Sequence, residues 1–266
     1  MERDLGGSDV GRDIERDMGD APPSTIRDSP PDYLAPIDAS APVSGHVPLP
    51  ESTVSVSESP EHDWEIARAL VFPAFRPVGT QGLAVEAFSR DALAGHATLS
   101  HAQPLLDQGP AGLPIVYTID AGGFDIVVNG DHLMSWGVEP TDVQDAAIRN
   151  LAAWSAGAAW VVEESGSRRL VSSQTGEGWD AVRIILPESL QRLSTELGGQ
   201  GRILVGIPER HLLTAGSLSS GDDEFAALFA DFVVEQSGGA DEPIDRRVFE
   251  LVDGQLVEFV GPDTAR

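Results

Sequence analysis

Three times between Leu113 and Val260, a pair of short β-branched runs is followed by a stretch with helical periodicity. That recurrence limits the fold more than any other feature of the chain. Residues 114–120 and 124–128 flank Asp120-Ala121-Gly122-Gly123, which reads as a hairpin turn. Residues 158–163 and 168–172 flank Ser165-Gly166-Ser167, and residues 202–207 and 211–215 form the third pair. A closing hairpin, 247–252 with 255–260, turns at Asp253-Gly254, a dipeptide suited to the two left-handed positions of a type I′ turn.

Helices are expected between the pairs. Asp131 is placed to cap a short turn that ends at Gly137, and Thr141 with Gln144 has the spacing of a capping box. Behind that box Val143, Ala147, Leu151 and Trp154 share one helical face. A helical stretch over 180–197 carries Pro187 at the start of its second half, where a missing N–H costs nothing. In a last helix over 222–236, Phe225, Leu228, Phe229, Phe232 and Val233 lie on one face. Hairpins alternating with amphipathic helices predict an α+β fold: an antiparallel sheet built from strand–strand–helix units, with helices packed on one face.

The N-terminal part reads differently. Residues 1–60 form an acidic arm punctuated by Pro/Ser-rich patches at 21–24, 29–31 and 48–60, with too little apolar surface to offset chain entropy, and are expected to be disordered. The charge alternation over 9–20 reads as a solvated tether, and Ser24-Thr25-Ile26-Arg27 and Tyr33-Leu34 are unspecific short motifs. Residues 61–112 are the least legible stretch of the globular region. Within it Asp63 precedes a helical pattern that Pro73 is expected to stop, and residues 85–88 suggest a strand. The α+β domain proper is assigned to residues 113–262.

Charge excludes more than it identifies. The 266 residues carry a net charge of -26, and all 17 basic residues are arginine. Such a chain is repelled by phosphate backbones and anionic lipid, so neither nucleic acid nor a membrane is an expected partner. No apolar run reaches the roughly 18 residues that cross a bilayer, and no secretory signal is visible at the N-terminus. A cytoplasmic location is the expectation. With no cysteine, thiolate catalysis and Cys-based metal sites are ruled out.

Motifs with chemical content are few. Gly176-Glu177-Gly178-Trp179-Asp180-Ala181 has the spacing of a dinucleotide fingerprint. Its preceding strand belongs to a hairpin, however, and Trp179 and Asp180 would crowd a phosphate. A glycine turn into a helix capped by Asp180 is the simpler reading. His96 and His101 lie five apart, which does not bring two imidazoles to one helical face as metal ligation requires. No catalytic residues, metal ligands or cofactor are assigned. Asp180 and Arg183, three apart beside Trp179, are the one pair set to project together, either as a local ion pair or toward a ligand or partner.

Several segments taken in order resemble one family. These are Trp136-Gly137-Val138, residues 147–151, the run Gly178 to Pro187, and Ile203-Leu204-Val205-Gly206-Ile207-Pro208-Glu209-Arg210 continuing to Leu213. Together they look like the YtpQ-like family of bacterial proteins of unknown function, over roughly residues 113–259. The family pattern at the helix start is Gly-Tyr-Asp-Ala-Ser, so Trp179 and Val182 depart from it. The resemblance implies a bacterial cytosolic protein without an established activity or cofactor.

The reading of the whole is a non-enzymatic protein-interaction or regulatory module, with a protein partner of unspecified identity and an unspecified oligomeric state. Two alternatives stand beside it. One is a small-molecule binder or enzyme with a pocket near Trp179, Asp180 and Arg183; the other is an acidic chaperone for a basic partner.

Overall fold

The computed structural model describes residues 59–85, 102–199 and 201–261. The arm assigned to residues 1–60, its last two residues apart, lies outside the described residues, as do His96, His101 and most of the strand expected at 85–88.

The fold is α+β, with two sheets. The first contains β1 (Val71–Phe75), β2 (Leu83–Ala84), β3 (Leu105–Gln108), β4 (Pro114–Asp120) and β5 (Asp125–Val127). Its order is β1-β4-β3-β2, with β5 also paired to β4, and among the described residues only the β2–β3 pair is parallel. The described residues of the 61–112 stretch therefore supply three of its strands. The helical pattern before Pro73 shrinks to α1 (Trp64–Ala67), whose Asp63 cap accepts from the Glu65 N–H at 2.9 Å. Pro73 does not stop a helix; it sits inside β1 opposite Tyr117. It is tolerated because β1 is an edge strand and needs hydrogen bonds on one side only.

Two helices follow. In α2 (Gly130–Trp136) the cap is Asn129 rather than Asp131, and Gly137 ends it in the left-handed conformation at φ 71°. In α3 (Pro140–Gly157), Pro140 takes the first position and the Asp142 carboxylate accepts from the Glu139 N–H at 2.9 Å, so the box lies two residues before Thr141. Val143, Ala147 and Leu151 are fully buried along α3, as their spacing requires. The Gln144 amide and the Tyr117 hydroxyl both donate to Asp107, at 2.8 and 2.9 Å, which ties α3 to β3 and β4. Burial, then the Asp107 charge, raises the Tyr117 phenol well above its usual range and keeps it a donor. Tyr117→Phe is expected to cost about 1–2 kcal/mol in urea unfolding, because it strands one bond of a part-buried carboxylate. A change indistinguishable from zero would remove the tie.

The second sheet has six strands, all paired antiparallel: β6 (Val161–Ser165), β7 (Arg168–Ser173), β8 (Arg202–Glu209), β9 (Leu212–Leu218), β10 (Val248–Val252) and β11 (Gln255–Glu258). Its order is β11-β10-β8-β9-β7-β6. Helix α4 (Pro187–Leu197) starts on Pro187 as expected, after a 3-10 turn over Ala181–Ile185, and α5 spans Asp223–Gly239.

The helices do not share a face. Leu193 and Leu197 of α4 belong to the same cluster as Val171, Ile203, Val205 and Phe249, whereas α5 packs on Leu204, Leu218 and Val248. The sheet is covered on both sides because β8 is apolar at consecutive positions, Ile203 to Ile207, and needs a cover for each face.

Candidate functional site

Trp179, Asp180 and Arg183 come together, but inward. Asp180 and Arg183 are 0% exposed and Trp179 is 8% exposed. Asp180 precedes the 3-10 turn without capping it: its Oδ1 accepts from the Ser173 hydroxyl at 2.5 Å and the Thr175 N–H at 3.0 Å, and its Oδ2 from the Thr175 hydroxyl at 2.8 Å. The Ser173 hydroxyl in turn accepts from Arg183 Nη1 at 2.7 Å, so the pair is linked through a serine rather than directly.

The remaining donors of Arg183 serve the end of α3. They reach the Ser155 carbonyl at 2.8 Å, those of Ala158 and Ala159 at 3.3 and 3.2 Å, and the Ser155 hydroxyl at 3.0 Å. A helix C-terminus leaves carbonyls without partners, and a cation there is favoured by the helix dipole. The guanidinium also lies between two indoles, 5.2 Å from the Trp154 centroid and 4.1 Å from that of Trp160. Burial pulls its pKa down to about 10, against the opposing Asp180 charge, so it stays protonated at neutral pH. Arg183 is thus a positioning residue for α3. Asp180 and Arg183 do reach toward one point, as their spacing suggests, but they meet through Ser173 in the interior rather than as a cap with a direct ion pair.

Trp179 stacks on Phe72 with centroids 3.9 Å apart and meets Trp154 edge-on. Beside it is a hollow of about 520 Å³. Of the two arginines that line it, Arg76 and Arg210, the latter is already engaged by Asp125, by Glu242 at 3.2 Å and by the Gly178 carbonyl at 3.0 Å. Gly178 has φ 91°, and a Cβ on it would lie 2.7 Å from the Arg210 side chain. The second glycine of the apparent fingerprint therefore makes room for an arginine, and the strand before it, β7, runs antiparallel to both neighbours.

The site with open apolar surface lies elsewhere. Helix α5 sits over β8 and β9, close enough that a Cβ on Gly206 would be 2.4 Å from Val233, and one on Gly216 2.7 Å from Phe225. It leaves the edge strand β6 open, exposed at all five residues, and half-covers β7, whose Leu170 packs against the α5 cluster. Between α5 and these strands runs a groove of about 910 Å³, with Leu170 and Leu212 in its floor and Phe229 in its wall. Leu228 and Phe232, on the groove side of α5, are 54% and 39% exposed.

One end of the groove is closed by Arg168, which donates to both Asp222 oxygens at 2.9 and 2.8 Å and to Glu224 at 2.7 Å. Asp222 caps α5 by accepting from the Phe225 N–H, and the Arg168 guanidinium holds its carboxyl below the usual range. Glu163 on β6 lines the groove, and Glu224, Asp231 and Glu235 of α5, all exposed, lie three or four residues from Leu228 or Phe232. Glu163, Asp231 and Glu235 have no cationic partner among the described residues.

Nothing in the sequence analysis singled out this groove. The signal was present in α5, whose apolar stripe is wider than one sheet contact buries. Phe225, Phe229 and Val233 go into the core while Leu228 and Phe232 stay out.

The chain matches no family model, no curated protein and no solved structure. No helix among the described residues is long and apolar enough to cross a membrane.

Proposed function

We propose that the chain is a non-enzymatic protein-interaction or regulatory module that docks a protein on the half-covered face of its six-stranded sheet. One observation carries this reading. A sheet face beside α5 ends in the exposed edge strand β6, and two large exposed apolar residues of α5 line the groove there. Apolar surface concentrated in a groove is the usual mark of a docking surface, whereas isolated exposed apolar residues are not. The resemblance to the YtpQ-like family, for which no catalytic activity is established, is compatible with it. The small-molecule alternative has less support, since Asp180, Arg183 and Arg210 direct their polar atoms at other parts of the chain.

The test compares the wild-type chain with the double variant Leu228→Ser, Phe232→Ser, both isolated at native salt. The wild type is expected to retain a stoichiometric partner and the variant to lose it, with thermal stability changed little because both side chains are surface groups. Recovery of the same proteins by both forms, or of none by either, contradicts the proposal.

A further inference from the structure

Resting on that docking surface, we infer that its occupant is a basic amphipathic α-helix of another protein. Width comes first. Neighbouring strands lie about 4.8 Å apart, so the open β6 with the half-covered β7 offers a strip of up to about 10 Å. That is the interaxial distance, about 8–10 Å, at which a second helix packs beside the first. A helix laid next to α5 would bury Leu228 and Phe232 on its flank and Leu170 beneath it.

Charge then selects the kind of helix. Both lips are acidic: Glu163 lines the strand side, and on α5 the exposed Glu224, Asp231 and Glu235 neighbour Leu228 or Phe232 at three- or four-residue spacing. The cation nearest the groove, Arg168, is neutralised by Asp222 and Glu224. An apolar stripe flanked by Lys or Arg on both sides fits this arrangement, and an acidic helix is repelled from both lips.

The same carboxylates argue against the other occupants. A second copy pairing antiparallel through β6 about its central residue would place Glu163 opposite Glu163 and Val162 opposite Glu164, a like-charge contact at the centre of the edge. Two chains of charge -26 also repel at long range. Residues 1–60 carry more carboxylates than arginines, a composition that an acidic groove disfavours.

The probe is a fluorescein-labelled peptide of leucine and lysine in helical register, about five turns long, set against its glutamate counterpart. Anisotropy is read with the full-length protein. The lysine peptide is expected to bind and the glutamate peptide not to. Leu228→Ser with Phe232→Ser, which leaves the net charge unchanged, should weaken binding at least tenfold. The triple variant Glu163→Gln, Asp231→Asn, Glu235→Gln should weaken it about tenfold and flatten its dependence on salt.

Undiminished binding of the lysine peptide to the serine variant would mean attraction by overall charge and would overturn the inference. Binding of the glutamate peptide that the serine variant loses would overturn the basic partner while leaving the docking groove in place. Failure of both peptides would overturn both. Sedimentation of the wild type as a dimer that Phe232→Ser dissociates would make the occupant a second copy, against the inference.

Discussion

Arg183→Ala is expected to destabilise the chain by about 3–5 kcal/mol, the range for removing one partner from a buried charged network. The guanidinium meets three carbonyls at the end of α3, the Ser155 hydroxyl and the Ser173 hydroxyl, and it fills the space between Trp154 and Trp160. Alanine leaves those carbonyls without donors and leaves Asp180 as a buried carboxylate whose serine bridge has lost its cation. It also opens a cavity lined by two indoles. Arg183→Lys keeps the charge but not the planar fork that reaches both the helix end and Ser173, so it should recover less than half of the loss. Denaturant unfolding monitored by tryptophan fluorescence reads the effect, with the midpoint falling and the slope unchanged. A loss below about 1 kcal/mol for alanine would mean that the arginine is not what holds α3 in place.

The second large effect is expected at Gly206. A Cβ there would sit 2.4 Å from Val233 Cγ2 and 3.1 Å from Thr214 Cγ2, and Val233 is fully buried and stiff at its branch. Gly206→Val forces α5 away from the sheet, at a cost of about 3 kcal/mol by the usual range for overpacking. For a domain of this size that lowers the melting temperature by roughly 6–12 °C. Gly238→Ala, where an added Cβ meets nothing within 4 Å, is the matched control and should stay within about 0.5 kcal/mol of wild type. Because α5 forms one wall of the groove, Gly206→Val should also weaken docking at temperatures where the chain remains folded. Equal stability of the valine variant would show that α5 has room to move.

Where local chemistry alone decides, the sequence is readable. Asp253 and Gly254 adopt φ 50° and 78°, the left-handed pair their turn needs, and Gly166 and Gly137 do likewise in their own turns. Pro187 opens α4 because a first-turn position has no bond for its missing N–H to break. Misreadings arise where tertiary context overrides the local signal. Pro73 stops a helix in isolation, yet it is accommodated in β1 because that strand is an edge. Asp180 has the position of a cap, yet Ser173 and Thr175 draw its carboxylate into the interior. Its three-residue spacing from Arg183 could not reveal that both side chains point away from solvent, since that depends on where α3 ends. The groove was half legible: the surplus apolar width of α5 is in the sequence, but the open edge strand beside it follows only from the strand order.

The docking groove is tested most directly by site-specific photo-cross-linking. The chain has no lysine and no cysteine, so amine-directed reagents find no side chain to label and a single introduced thiol labels cleanly. A benzophenone attached at Leu228→Cys, in the groove, is compared with one at Val257→Cys, an exposed position on β11 at the far edge of the sheet. Irradiation in the native extract is expected to give one discrete adduct from position 228, mapping to a Lys- or Arg-flanked helix of another protein, and no such adduct from position 257. The same adducts from both positions, or a cross-link from position 228 only to a second copy or to residues 1–60 of the same chain, would contradict the account.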